Sequence, residues 1–286
     1  RTGESTPTAL ITEMDVPFEH PDVRGIVDSM FLGGLLQPLA VQGAPASIPE
    51  WAKVGIVQDP LALRNLVAEG IKGILQSLPT LESSHRDWVS SSRRFGELLA
   101  RFHALDTARA EGLKAGIAEL QATTDERLRQ WVSRHYADLP SLPVAKGPVM
   151  VHHVPRFLAL RRGAGETRTA LLVFDGLAVD QWVQIRETLV KRAPRLGFDE
   201  GACFAWLPTL TSVSRQALFS GLKPREFANT IESTSPEPAH WSRFWQDQGL
   251  RANEIMYRKG IKRTDQLAEL TAAISAPSIR VAGIVV

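Results

Sequence analysis

Hydrophobic residues recur at spacings of three and four between Asp59 and Tyr136, which is the pattern of amphipathic helices. Three stretches carry it: LALRNLVAEGIKGILQSL, RRFGELLARFHAL and EGLKAGIAELQATTDERLRQWVSRHYADL. The apolar faces consist of Leu98, Leu99, Phe102 and Leu105, and of Leu113, Ile117 and Leu120. The pattern predicts a helical region, preceded over residues 1–50 by loops and short helices.

The pattern changes after DLPSLPVAKGP (138–148), where three prolines and a glycine interrupt helix and sheet alike. Downstream, strands are predicted at 170–174, CFAWL (203–207) and 279–286, a strand or loop at ANEIMYRKG (252–260), and helices at 180–195, 212–220, 238–249 and 264–275. Strands that alternate with helices indicate a doubly wound parallel sheet. We therefore predict a mainly helical region over 1–140 and an α/β domain over 147–286.

The stretch ALLVFDGLAVDQW (170–182) ends an apolar run with an acid and a glycine. Such a run is typical of a strand buried on both faces, which would place Asp175 at its carboxyl end, where α/β sheets bind ligands. Gly176 would allow the sharp turn that follows. From its position alone, Asp175 can be a metal ligand, a nucleophile or a helix cap, and Asp180 suits the N-cap of the next helix.

The stretch LPTLTSVSRQALFSG (207–221) leads into a short predicted helix that Gly221 ends as a left-handed cap. Four hydroxyl residues stand at its start: Thr209, Thr211, Ser212 and Ser214. Free N–H groups and the helix dipole stabilise a bound phosphate or a developing alkoxide there. The same residues can also serve only as caps and turn residues. Arg215 lies one turn beyond Thr211, within reach of a phosphate or of a neighbouring carboxylate.

Together, FDGLAVDQW and LPTLTSVSRQALFSG resemble the PglZ family of bacterial phage-defence proteins, a branch of the alkaline phosphatase superfamily. The resemblance extends upstream through VMVHHVPRFLALRR and downstream through MYRKGIKRTDQLAEL to GIVV, so it covers about residues 145–286. It implies an alkaline-phosphatase-like α/β fold. It also implies a component of a phage-exclusion system that works with other defence subunits, and a phosphodiester substrate such as DNA.

The resemblance implies site residues as well. In the superfamily two divalent metal ions, usually zinc, bind through carboxylates and histidines, and a Ser or Thr attacks phosphorus. Asp175 matches the first metal ligand, and Thr211 matches the nucleophile, which also contacts metal. Thr209 is the fallback nucleophile, and Arg215 is the candidate for phosphate binding. The alternative is a catalytically degenerate, phosphatase-like scaffold that holds partner subunits.

Composition narrows the picture further. Cys203 is the only cysteine, so an internal disulfide and a thiolate zinc cluster are excluded, and we expect a buried, inert thiol. No apolar run is long enough to span a membrane, and no signal peptide stands at the start, so we expect a cytoplasmic protein. The formal net charge of +2 favours no class of partner, and the basic cluster Lys259, Lys262 and Arg263 is interpreted as solvated surface.

Histidine and tryptophan supply few further ligand candidates. His152 and His153 are adjacent, so one metal ion would rarely take both, and we predict structural roles for them. Trp182, Trp206, Trp241 and Trp245 are predicted as core or interface anchors. The chain starts without methionine and ends inside a strand-like run, IRVAGIVV. We therefore expect a fragment truncated at its C-terminus, whose later metal ligands lie beyond Val286 and which binds divalent metal weakly by itself.

Overall fold

The computed structural model describes residues 20, 23, 27, 39–41, 56–58, 60–163, 168–261 and 263–286. The helices are α1 (Pro60–Gln76), α2 (His85–His103), α3 (Thr107–Glu111), α4 (Lys114–His135), α5 (Val154–Gly163), α6 (Val179–Arg192), α7 (Thr211–Ser220), α8 (Glu237–Asp247) and α9 (Asp265–Ser275). The strands are β1 (Leu39–Val41), β2 (Ile56–Gln58), β3 (Thr169–Val173), β4 (Ile255–Lys259) and β5 (Val281–Val285). Short 3-10 helices occupy Leu139–Ser141, Val151–His153, Pro224–Thr230 and Ala252–Glu254. The loops and short helices predicted over 1–50 lie almost wholly outside the described residues, as does Lys262.

The predicted helical region is confirmed from α1 to α4. Its core contains the predicted apolar faces, with Leu98 and Leu120 almost fully buried and Leu99 and Phe102 packed at the edge. Local capping explains where these helices begin. The Asp106 side chain accepts a hydrogen bond from the backbone N–H of Arg109, which satisfies a free donor in the first turn of α3.

The helical region and the C-terminal part pack directly against each other around Trp131. This buried ring lies over Phe204, with centroids 5.5 Å apart, and it meets Trp88 at 6.1 Å. Its indole N–H donates to the carbonyl of Ser83. The division into domains at 1–140 and 147–286 stays a prediction.

The predicted strand CFAWL is wrong. Phe204 makes only an isolated parallel bridge with Met150, through bonds to Val149 and Val151. The next carbonyl, of Ala205, accepts instead from the Tyr136 hydroxyl at 2.8 Å. Because a side chain satisfies the backbone here, the segment forms no ladder with a neighbouring strand.

The C-terminal sheet has three parallel strands in the order β3-β5-β4. All five residues of the central strand β5 are buried. Val281 and Val285 pack with Trp241 and Trp245 of α8, whereas Ala282 and Ile284 face α9. Helices therefore cover both faces of this sheet, as a parallel α/β arrangement requires. The doubly wound topology of a larger sheet stays a prediction.

Gly283 allows two aromatic rings to approach the middle of β5. A side-chain carbon at this position would lie 3.1 Å from atoms of both Phe219 and Trp241, which is closer than ordinary van der Waals contact. The ring of Phe219 meets that of Trp241 edge-on, with centroids 5.5 Å apart. The glycine thus lets α7 and α8 pack closely onto the sheet.

The prediction that 170–174 is buried on both faces is wrong. In β3 the burial alternates, and Leu172 is 52% exposed and Phe174 is 49% exposed. The reason is strand order: β3 pairs only with β5 among the described residues, so it lies at an edge, and the helix that covers β4 and β5 on that face does not cover it. Among the described residues, no helix is long and apolar enough to cross a membrane.

Candidate functional site

Asp175 lies where the sequence predicts it, just beyond the carboxyl end of β3. The strand ends at Val173, and Gly176 adopts a left-handed backbone conformation with φ of 77°. This conformation costs a glycine little, so the chain can turn sharply after the acid. The Asp175 side chain is 41% exposed and is therefore accessible to a ligand.

The second predicted motif forms the start of α7. The N-cap is Leu210, in an extended conformation and without a side-chain cap bond, and Thr211 is the first helical residue. Both Thr211 and Thr209 are exposed. No side chain thus caps the helix, so its first N–H groups point to solvent and remain available to an anion. Gly221 ends the helix in the left-handed conformation, as predicted, with φ of 69°.

Arg215 connects these two motifs. Its Nη1 atom lies 3.5 Å from Asp175 Oδ2, which brings the acid after β3 next to α7. Arg215 follows Thr211 by four residues and therefore lies on the same face of the helix. Its Nη2 atom donates to Glu237 Oε2 at 2.6 Å. Of the two partners considered for Arg215, carboxylates are the ones that the structure contains.

Glu237 and Tyr257 are the site residues that sequence reasoning missed. Glu237 begins α8 and is fully buried, and the Tyr257 hydroxyl donates to the same Oε2 atom as Arg215. Burial and then the Glu237 charge raise the pKa of Tyr257, so the hydroxyl keeps its proton. Burial opposes the charge of Arg215, but the bond to Glu237 outweighs it and raises the pKa of the guanidinium. An acid in the first turn of a helix gives no local signal of such a contact.

Helix α2 holds the start of α6, directly after the Asp175 turn. His103 Nδ1 lies 2.9 Å from Asp180 Oδ2. A methyl group on Gly96 would lie 2.3 Å from a Val179 side-chain carbon, so the two backbones approach closely. The prediction of Asp180 as N-cap is wrong, because α6 begins at Val179 and Ala178 is its N-cap. The carboxylate is turned towards the helical region instead.

His152 and His153 are buried, as expected for structural residues. Their ring centroids lie 4.1 Å apart, and His152 also packs on Trp206 at 5.1 Å. The Nδ1 atom of His153 accepts from the backbone N–H groups of Val149 and Met150. Burial and the neighbouring His153 lower the pKa of His152 to about 4. The pair fixes the turn into α5.

Cys203 lines a cavity of about 660 Å³ where the helical region meets the C-terminal part. The thiol is half-buried. Burial raises its pKa to about 11, so it stays protonated and unreactive at neutral pH. The inert thiol is confirmed.

The described residues were tested for the metal centre that the resemblance implies. Among them there is no group of three or more His, Cys, Asp or Glu side chains that could hold a metal ion. At the candidate site they supply one carboxylate, from Asp175, and the hydroxyl of Thr211, and a guanidinium already neutralises the carboxylate. These residues do not fit a two-metal centre by themselves.

Comparison with known proteins gives first a class and then a family. Residues 157–277 belong to an alkaline phosphatase-like domain, in agreement with the parallel sheet and with the acid that follows its edge strand. The family model that they match is the BREX system PglZ alkaline phosphatase-like domain. This segment is therefore a PglZ domain, and it contains both motifs from which the resemblance was inferred. No protein among the curated ones matches the chain.

Proposed function

We propose that this protein is the PglZ component of a phage-defence system and that its candidate site hydrolyses a phosphoester. The observation that carries the proposal is the 3.5 Å distance between Arg215 Nη1 and Asp175 Oδ2. It places the acid at the sheet edge beside the helix whose first turn carries Thr211. A phosphate group bound at the start of α7 would lie between an accessible hydroxyl and uncapped backbone N–H groups.

In this proposal, Thr211 Oγ1 attacks phosphorus, a Thr–phosphate bond forms and the ester oxygen leaves with a proton. Water then hydrolyses the phosphothreonine and regenerates the hydroxyl. The free N–H groups of the first turn of α7 stabilise the negative oxygens of the phosphoryl group. Thr209 is the second candidate for the attack, because it is equally exposed and lies two residues earlier.

The proposed cofactors are two divalent metal ions, with zinc as the expected metal. They would need ligands in addition to Asp175 and Thr211, so no step of the reaction is assigned to them here. The proposed substrate is a phosphodiester, with DNA as the biological candidate. The proposed partners are other subunits of the defence system, and the proposed location is the cytoplasm.

The test is hydrolysis of a chromogenic phosphodiester by the full-length protein, with and without zinc or manganese. Thr211→Ala should abolish turnover, Thr211→Ser should retain part of it, and Asp175→Asn should lower it strongly. Ser214→Ala is the matched control, because Ser214 lies in the same turn but is not a candidate nucleophile. Full turnover by Thr211→Ala would contradict the assignment, and loss only in Thr209→Ala would transfer the role to Thr209.

The alternative is a scaffold that holds partner subunits. It is favoured by the contacts of Arg215, whose two amino groups already face the carboxylates of Asp175 and Glu237. The same variants separate the two functions. A scaffold predicts that the full-length protein has no metal-dependent turnover and that Thr211→Ala and Asp175→Asn still assemble with the other defence subunits.

A further inference from the structure

Arg215, Glu237 and Tyr257 form a buried network next to the candidate site. They lie on α7, α8 and β4, so three separate elements converge there. Glu237 is fully buried, and the side chain of Arg215 is 14% exposed. A buried carboxylate needs a charged partner and hydrogen bonds, and Glu237 obtains both at its Oε2 atom.

The geometry of the contact is end-on. Arg215 Nη2 and the Tyr257 hydroxyl share Glu237 Oε2, whereas Glu237 Oε1 and Arg215 Nε are buried without a hydrogen-bond partner among the described residues. A side-on, bidentate pair would occupy both carboxylate oxygens and two guanidinium nitrogens. In the observed arrangement only Nη2 is used, so Nη1 stays free to face Asp175 at 3.5 Å.

Tyr257 explains why the end-on arrangement persists. Its ring is fixed edge-on against Phe219, with centroids 5.1 Å apart, and burial keeps its hydroxyl protonated as a donor. Because Tyr257 donates to the same oxygen as Arg215, it restrains the carboxylate from rotating into the bidentate geometry. Glu237 also begins α8, where the helix dipole favours a negative charge.

We propose that Glu237 and Tyr257 are positioning residues, which hold Arg215 so that one of its amino groups faces Asp175 at the candidate site. The inference rests on the proposed function for its catalytic meaning, whereas the positioning itself can be measured without turnover. Arg215 and Glu237 together carry no net charge, so this neutral pair orients Asp175 without placing an unbalanced cation in the site.

The experiment is nitrogen NMR of the arginine guanidinium groups in the full 286-residue chain. Arg215→Lys assigns the signals. In the unmodified protein, the two amino groups of Arg215 should give separate signals, because Glu237 prevents rotation of the guanidinium. Asp175→Asn should shift one of the two.

Glu237→Gln should merge the two signals and remove their response to Asp175→Asn. Tyr257→Phe keeps the ring and should reduce the separation, which gives a second variant if Glu237→Gln does not fold. Thr230→Val is the matched control. Thr230 donates to Gln216 Oε1 at 2.8 Å, next to Arg215 but on another side of α7, so its loss should leave both signals unchanged.

Separate signals that still respond to Asp175→Asn in both Glu237→Gln and Tyr257→Phe would overturn the inference. Kinetics supply the second readout. If the full-length protein turns over a phosphodiester, Glu237→Gln should lower kcat by about ten-fold or more with little change in KM, as for other residues that orient a site. Absence of turnover in the unmodified protein would contradict the proposed function, and the NMR result would still decide the positioning.

Discussion

Charged side chains pair in two different ways in the two parts of this molecule. In the helical region the pairs join residues three apart on an exposed helix surface: Glu69 with Lys72, Asp106 with Arg109, Glu111 with Lys114, and Glu126 with Arg129. In the C-terminal part they join distant residues and are largely buried: Arg215 with Glu237, and Arg186 with Glu200. Exposed pairs follow from helix periodicity and contribute little, whereas buried pairs depend on the assembled fold and fix one arrangement.

The largest expected effect is that of Glu237→Ala. It leaves the Arg215 guanidinium buried without its partner, so we expect the free energy of unfolding to fall by about 3–5 kcal/mol. Urea denaturation measures the loss. The double variant Glu237→Leu with Arg215→Met should recover much of it, because an apolar pair replaces the charges. Equal losses in the single and double variants would mean that packing, and not the unpaired charge, dominates.

A second contrast lies between the two strands β5 and β3. Ile284→Ala removes a fully buried side chain from β5 and should cost about 2–4 kcal/mol, whereas Leu172→Ala, at a position 52% exposed, should cost well under half of that. Both are aliphatic truncations in neighbouring parallel strands, so urea denaturation compares them directly. Similar costs would indicate that the outer face of β3 is covered in solution.

These strands show where sequence reasoning reaches its limit. The runs ALLVF and IRVAGIVV both predict buried strands, and both do form parallel strands. Which one is central depends on strand order, and strand order is set by long-range packing that no local pattern encodes. CFAWL fails for a related reason, because Tyr136, more than sixty residues away in the chain, takes up its backbone groups.

The same limit applies to the candidate site. Asp175 and the start of α7 could be predicted, because a strand end, a glycine and a row of hydroxyl residues are local signals. Glu237 and Tyr257 could not be, since they approach Arg215 only after α8 and β4 have packed onto α7. The family match supports the domain without assigning roles to these residues.

A third expected effect is on the pH dependence of stability. The pKa of His152 is about 4 in the folded protein, below its ordinary value of 6.5, because the ring is buried beside His153. The unfolded chain therefore binds this proton first, so the contribution is complete above about pH 6.5 and is lost as pH falls towards 4, by about 3 kcal/mol in total.

Urea denaturation at pH values between 6.5 and 5 measures this slope before most carboxylates titrate. His152→Gln should lower stability at neutral pH and flatten the slope. The pKa of His153 is also lowered by burial, so part of the slope should remain. An unchanged slope in His152→Gln would contradict the assignment.

A fourth effect concerns the contact between the two parts. Gly96→Ala would place a methyl group 2.3 Å from Val179 Cγ1 and 2.9 Å from its Cβ, so α2 and α6 must separate. We expect a loss of about 1–3 kcal/mol. Gly73→Ala in α1 is the matched control, because no described atom would lie within 4 Å of its new carbon. Alanine favours helix there and should stabilise by up to about 1 kcal/mol. Losses of similar size at both positions would rule out the close approach.

The smallest expected effect is at the exposed pairs with which the contrast begins. Arg129 donates twice to Glu126, and these hydrogen bonds lower the pKa of Glu126, but both side chains are more than half exposed. Water replaces such bonds when they break, and ordering two long side chains costs entropy. We therefore expect Glu126→Gln to leave the urea midpoint unchanged within error at physiological salt, where Glu237→Gln lowers it clearly. A clear decrease with Glu126→Gln would mean that the surface pairs of the helical region also hold its fold together, and the difference between the two regions would then be one of degree.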